Sequence, residues 1–193
     1  MTHLQEIHNY WNSRSEGFRL QVEKEMEEGR QEIYLKYFKK MSIGSKVLDV
    51  GCGPGFFTFI LDSLGMEVTA VDYSEKMIEE AKKLFGSAGK VDFLQADAQN
   101  LPFESNKFDA VVSRNLVWNL ENPERAYREW LRVLKPAGSL FIFDGNHYSY
   151  LYDPDYASVQ QKVEKSSNHI LLNVNPMIID KIAEELPLSR CKR

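Results

Sequence analysis

Along the middle of the chain, short continuous apolar runs alternate with stretches whose apolar residues recur at helical spacing. Lys46–Val50, Glu67–Val71, Val91–Gln95, Phe108–Ser113 and Ser139–Phe143 read as five strands, whose continuous apolar runs imply a parallel sheet covered on both faces. Between them, Phe56–Leu64 reads as a helix closed by Gly65. Ser74 caps a helix running through Ala81 to Phe85 and ended by Gly86 and Gly89. Asn122-Pro123, an N-cap followed by a first-turn proline, opens another to Leu134. Lys135-Pro136-Ala137-Gly138 stops that helix. The first forty residues carry Phe18, Val22, Met26, Ile33, Tyr34, Tyr37 and Phe38 at helical spacing, with Gly29 as a weak point. After Phe143 comes the aromatic, turn-rich stretch His147–Pro154, then two predicted helices at about Tyr156–Ser166 and Pro176–Leu186. Repeated β-α units with buried strands predict an α/β fold, a doubly wound and mostly parallel sheet with helices on both faces. Ligands of such sheets bind beyond the carboxyl ends of the strands, at the switch point after Lys46–Val50.

Composition narrows the class. With 193 residues, 43% of them hydrophobic, the chain has material for one good core, so one domain over 1–193 is expected. Within it, 1–43 reads as a helical lid region, 44–144 as a ligand-binding core and 145–193 as a helical acceptor-side segment cut short at its end. A net charge of −4 supplies no basic footprint, so no nucleic-acid partner is expected. The two cysteines, Cys52 and Cys191, make no disulfide framework, the N-terminus lacks a signal-peptide pattern, and no apolar run approaches about 18 residues. The expectation is a cytoplasmic protein with no membrane partner.

The chemistry concentrates in Val47-Leu48-Asp49-Val50-Gly51-Cys52-Gly53-Pro54-Gly55 and in Asp72, at the end of the next strand. Glycines at alternate positions after a strand mark backbone that passes close to a bound molecule, and an acid about twenty positions on stands where ribose hydroxyls are held. Asp72 also stands where a helix N-cap would. Asp49, ending the first strand, would repel a pyrophosphate but attract an ammonium group, while the helix starting near Gly55 favours a carboxylate. That charge pattern suits S-adenosylmethionine better than a dinucleotide.

This spacing resembles the first motif of the class I S-adenosylmethionine-dependent methyltransferases, specifically the type 11 or UbiE-like small-molecule group, and the resemblance covers about residues 8–144. It implies the Rossmann-like methyltransferase fold, S-adenosyl-L-methionine as methyl donor, S-adenosyl-L-homocysteine as product and a small-molecule acceptor. By the same resemblance Gly51, Cys52, Gly53 and Gly55 wrap the methionine portion, Asp49 orients its polar end and Asp72 grips the ribose. Tyr73 and Met77 pack on adenine, Asp97 and the Ala98 backbone meet its edge, and Arg114 and Asn115 lie beside the sulfonium. Tyr10 and Trp11 form a lid over the donor or else anchor the first helix. The family closes its sheet with a sixth strand and a reversed seventh; both are missing from the pattern here, which implies a shortened chain and an exposed sheet edge through which a homodimer could form.

Other signals are weaker. His147 and Tyr10 are candidate bases for an acceptor proton, with a surface histidine as the alternative for the former. Asp144 and His147 lack a third ligand, so no metal is expected. Cys52 reads as a space-filler, Trp130 as core, and Trp118 as part of an acceptor pocket. Two other function classes stay open: an NAD(P)-dependent oxidoreductase on the same fold, and a non-catalytic S-adenosylmethionine-binding protein.

Overall fold

A computed structural model describes residues 2–85, 90–145, 147–152, 170, 172, 174–175 and 177–189. The helices are α1 (His3–Glu27), α2 (Glu32–Phe38), α3 (Phe56–Ser63), α4 (Glu75–Phe85), α5 (Pro123–Val133) and α6 (Met177–Ala183). The strands are β1 (Lys46–Val50), β2 (Glu67–Asp72), β3 (Asp92–Gln95), β4 (Phe108–Arg114) and β5 (Leu134–Phe143). All five strands run parallel in the order β3-β2-β1-β4-β5. The order reverses direction beside β1, so the tips of β1 and β4 diverge and leave a crevice at their carboxyl ends.

Local chemistry explains the boundaries. The N-terminal helical pattern breaks where Gly29 takes a φ of 74°, a left-handed conformation that costs glycine little. Ser74 caps α4 by accepting from the Met77 N–H at 3.1 Å, and Asn122 caps α5 by accepting from the Arg125 N–H at 3.0 Å. Asp72 is therefore not the cap. The fifth strand begins five residues earlier than its apolar run suggests: Leu134 pairs with Phe108, and the irregularity between Phe108 and Ala110 takes up Ala137 at φ 64°. Lys135 reaches Asp109 at 2.7 Å across this stretch, so a segment that reads as a loop is fastened to the sheet.

One face of the sheet packs under α5, where Trp130, fully buried, sits among Leu48, Val71, Phe108 and Val133 and donates its indole N–H to the Ala98 carbonyl at 3.0 Å. The other face carries α3 and α2, with Phe38, Phe57 and Phe143 meeting edge to face. A third cluster, Ile7, Tyr10, Trp118, Tyr148, Ile179 and Leu186, joins α1 to α6 above the strand tips. The predicted helix at 156–166 and Cys191 lie outside the described residues; the predicted helix at 176–186 is present as the shorter α6.

Candidate active site

A cavity of about 700 Å³ opens at the carboxyl ends of β1, β2 and β4. Its wall includes Tyr10, Trp11, Asp49, Gly51, Cys52, Gly53, Asp72, Tyr73, Met77, Asp97, Ala98, Arg114, Asn115 and His147, which are the sequence-derived candidates with one exception. Gly55 is not part of it. At φ 96° it forms the left-handed start of α3, and a Cβ there would come within 2.7 Å of the Phe85 ring. The glycine loop is likewise explained by the protein's own packing: Gly51 has φ 68° and lies against the Leu116 side chain, which a Cβ would meet at 2.7 Å.

The loop is tied to the sheet by backbone and by acid. Gly51 and Cys52 donate their N–H groups to the Val71 carbonyl at 2.8 and 3.0 Å. Asp72 accepts from the Gly53 N–H at 2.9 Å and from the Ser74 N–H at 2.8 Å, holding the loop and the start of α4 in register. Burial raises its pKa and these backbone donors, with that of Tyr73, oppose the rise. Asp97, after β3, accepts from the Gln99 N–H at 2.8 Å in a tight turn that turns the Ala96–Ala98 segment toward the cavity. Cys52, packed with Ala70 and Ile78, has its thiol pKa pushed up by burial, as suits a space-filling side chain.

Asp49 is only 1% exposed and accepts from the Thr58 hydroxyl at 2.6 Å. Burial raises its pKa to about 7, against the opposing pull of that hydrogen bond. A cation placed beside this carboxyl would favour its ionised form.

At the β4 exit, Arg114 lies over the Phe56 ring at 4.2 Å and forms an ion pair of 2.7 Å with Glu25 of α1. Asn115 follows at φ 54°, and its carbonyl accepts from the Trp118 indole at 3.0 Å. Trp118 meets Trp11 at 6.2 Å, His147 at 5.7 Å and Tyr148 at 4.9 Å between ring centres, so α1, the β4 exit and the post-β5 loop share one aromatic wall. His147 stands 3.8 Å from the Asp144 carboxylate, which also accepts from the Val117 N–H. Tyr10 is buried, and burial raises its pKa, with Arg14 opposing the rise.

Several wall residues escape sequence reasoning. His8 pairs with Glu75 at 2.6 Å, and Asn12 donates to Glu75 at 2.9 Å and accepts from the Ser74 hydroxyl, fastening α1 across the mouth. The i, i+4 spacing of His8 and Asn12 was the available signal, but it reads equally as a solvated helix face. Arg14, Gln21 and Asp180 also line the cavity, and only the tertiary arrangement of α1 and α6 brings them there; Tyr148, from the aromatic stretch after β5, lines it too.

Residues 48–142 match the family model described as "Methyltransferase domain". A demethylmenaquinone methyltransferase of Clavibacter sepedonicus is 37% identical over 99 residues, 51% of this chain and 40% of that protein. The protein of the same name from Staphylococcus aureus (strain JH9) is 42% identical over 104 residues, covering 52% and 43%. The chain thus spans about two-fifths of the length of these curated relatives. Among solved structures, a SAM dependent methyltransferase from Aquifex aeolicus superposes with a TM-score of 0.55 at 28% identity, over 65% of this chain and 72% of the other. The acid-tipped strands, the glycine loop and these matches agree: residues 48–142 are similar to the methyltransferase domain of the class I S-adenosylmethionine-dependent methyltransferases of UbiE-like type.

Proposed function

We propose that this chain moves the methyl group of S-adenosylmethionine to a small, partly apolar acceptor, leaving S-adenosylhomocysteine. The carrying observation is a single cavity whose one end is acid and backbone, at the tips of β1, β2 and β3, and whose other end is aromatic. Asp49, Asp72, Asp97 and Asp180 line it against Arg14, Arg114 and His8, and of these Arg114 is paired with Glu25 and His8 with Glu75. That balance suits a cationic ligand and would repel a dinucleotide pyrophosphate. Buried polar atoms without a hydrogen-bond partner among the described residues, Gln21 Oε1, Arg114 Nε and Asn119 Oδ1, belong to residues of the same wall and favour a polar ligand among them.

In this reading Asp72 holds the ribose hydroxyls, Met77 backs the adenine, Asp97 and the Ala98 backbone meet its edge, and Gly51–Gly53 lies along the methionine portion with Asp49 toward its ammonium. The donor's sulfonium supplies an electrophilic methyl carbon. The protein's share is to orient the acceptor and exclude water, which Trp11, Trp118 and Tyr148 do as a closed aromatic wall. Tyr10 keeps its proton near neutral pH and serves as a donor rather than a base. In the same reading His147, 3.8 Å from the Asp144 carboxylate, takes a proton from an oxygen or nitrogen acceptor.

The relatives' name, demethylmenaquinone methyltransferase, supports an apolar acceptor. No helix among the described residues is long and apolar enough to cross a membrane, and we read the protein as a cytoplasmic enzyme on small molecules. A homodimer through the β5 edge is part of the same proposal. Incubation with S-adenosylmethionine and a panel of hydroxylated aromatic and quinol acceptors, followed by mass spectrometry, should show S-adenosylhomocysteine and a product heavier by one methylene. Tight S-adenosylhomocysteine binding with no turnover across the panel would instead favour a non-catalytic binding protein.

A further inference from the structure

The strand order leaves β3 with a neighbour on one side only, β2. The Ala96 N–H donates to the Asp72 carbonyl at 3.0 Å, so the backbone groups of Leu94 and Ala96 turn toward β2. Those of Phe93 and Gln95 turn outward, where among the described residues no strand receives them. This edge lies in a groove of about 520 Å³ that shares no lining residue with the active-site cavity. Its walls come from the layers on both faces of the sheet. On one side Phe85, at the end of α4, meets Phe93 edge to face at 5.4 Å; on the other stand Phe103, packed against the α5 core, and Lys107. Leu94 lies between them and is 42% exposed.

The charge at this edge is opposite to that of the chain. Although the net charge is −4, Lys82, Lys90 and Lys107 are exposed around the groove and form no ion pair among the described residues. The Lys107 ammonium is held 4.6 Å from the centre of the Phe103 ring, and Asp92 is the one acid among the described residues of the lining. Lysines beside an edge strand discourage pairing with a second copy, since two such edges would bring the same charges together. The same charges attract an acidic strand, so they select a partner as well as refuse one. Defence alone does not account for the apolar trough, which offers burial to alternate side chains of an added strand. We propose that the β3 edge is a docking site for an extended acidic segment of a partner protein, which joins the sheet beside β3. Its backbone pairs with Phe93 and Gln95, its apolar side chains enter the trough between Phe85 and Phe103, and its carboxylates meet Lys82, Lys90 and Lys107.

Nuclear magnetic resonance titration of the full chain with three capped heptapeptides tests it: glutamate alternating with valine, lysine alternating with valine, and the glutamate peptide with proline at its centre. The glutamate peptide should shift the Phe93 and Gln95 amides saturably and slow their hydrogen exchange, leaving the exchange of Leu94, already bonded to β2, unchanged. The lysine peptide should bind at least about tenfold more weakly. The proline peptide, lacking a central N–H, should fail to protect either amide. In the double variant Lys82→Glu, Lys107→Glu the order of the glutamate and lysine peptides should reverse, with S-adenosylhomocysteine affinity unchanged. Both substitutions are at exposed positions, and the reversal separates charge selection from a loss of folding. Glutamate and lysine peptides binding alike, no response at Phe93 and Gln95, or an order that survives charge reversal overturns the proposal. Protection of these two amides in the free chain that fades on dilution would assign the edge to a second copy and overturn it as well.

Discussion

The two ends of the cavity are built in different ways. At the glycine-loop end, the acids and the glycine loop sit on or just after strands of one parallel sheet, and the hydrogen-bond ladder fixes their position to within the register of β1, β2, β3 and β4. At the aromatic end, the wall is assembled from α1, the β4 exit, residues 147–150 and α6, held together by ring contacts and a few polar ties. A sheet tip is rigid because moving it breaks several backbone bonds at once; a wall of side chains from separate segments can re-pack at modest cost. The first end suits a ligand common to many enzymes, the second a ligand particular to this one.

The comparison breaks most visibly in stability. Trp130 anchors the sheet face beneath the acid end, and Trp130→Ala should cost about 3–5 kcal/mol, through the cavity left and the unpaired Ala98 carbonyl. Trp11→Ala at the aromatic end should cost clearly less in the same urea titration, and equal losses would mean that the wall is no looser than the sheet. Next in size is Asp72→Ala, expected to weaken S-adenosylhomocysteine about a hundredfold through two charge-assisted hydrogen bonds. Because Asp72 also accepts from the Gly53 and Ser74 N–H groups, this variant should melt earlier as well, Asp72→Asn less so.

A smaller effect follows pH. Asp49 has a folded pKa of about 7, above its unfolded value, so the stability associated with its neutral form is complete below about pH 4 and is lost as pH rises through 7. A bound ammonium reverses the balance by favouring the ionised form. S-adenosylhomocysteine affinity should therefore climb with pH up to about 7, by at most about tenfold per unit, and flatten in Asp49→Asn. An identical slope in that variant would remove Asp49 from the ammonium site. Smallest of all, Tyr148→Leu should leave S-adenosylhomocysteine affinity within about threefold while reducing turnover of aromatic acceptors; a large loss of donor affinity would show that the two ends are not separate.

The same difference decides what the sequence discloses. Asp49, Asp72 and Asp97 were legible because strand ends carry a fixed spacing of glycine and acid, and β-α alternation dictates where those ends lie. Tyr10 and Trp11 were legible as lid candidates, but not Arg14, His8 or Asn12: an arginine or histidine on a charged helix looks solvated until the helix is docked. Gly55 is outside the cavity lining: an αL helix start and a ligand-facing glycine look alike in one dimension, and the Phe85 ring beside it is thirty residues away. The early start of β5 was hidden by Pro136 and Gly138, which signal a turn that the bulge against Phe108 absorbs into the sheet.

The central claim is that an acid-tipped crevice receives a cationic nucleoside donor. Thermal unfolding of the purified chain with S-adenosylmethionine, S-adenosylhomocysteine or NAD tests it most directly. The expected result is a saturable rise in midpoint with the first two that needs about a hundredfold more ligand in Asp72→Ala, and no shift with NAD. A shift with NAD and none with the sulfur nucleosides would contradict it.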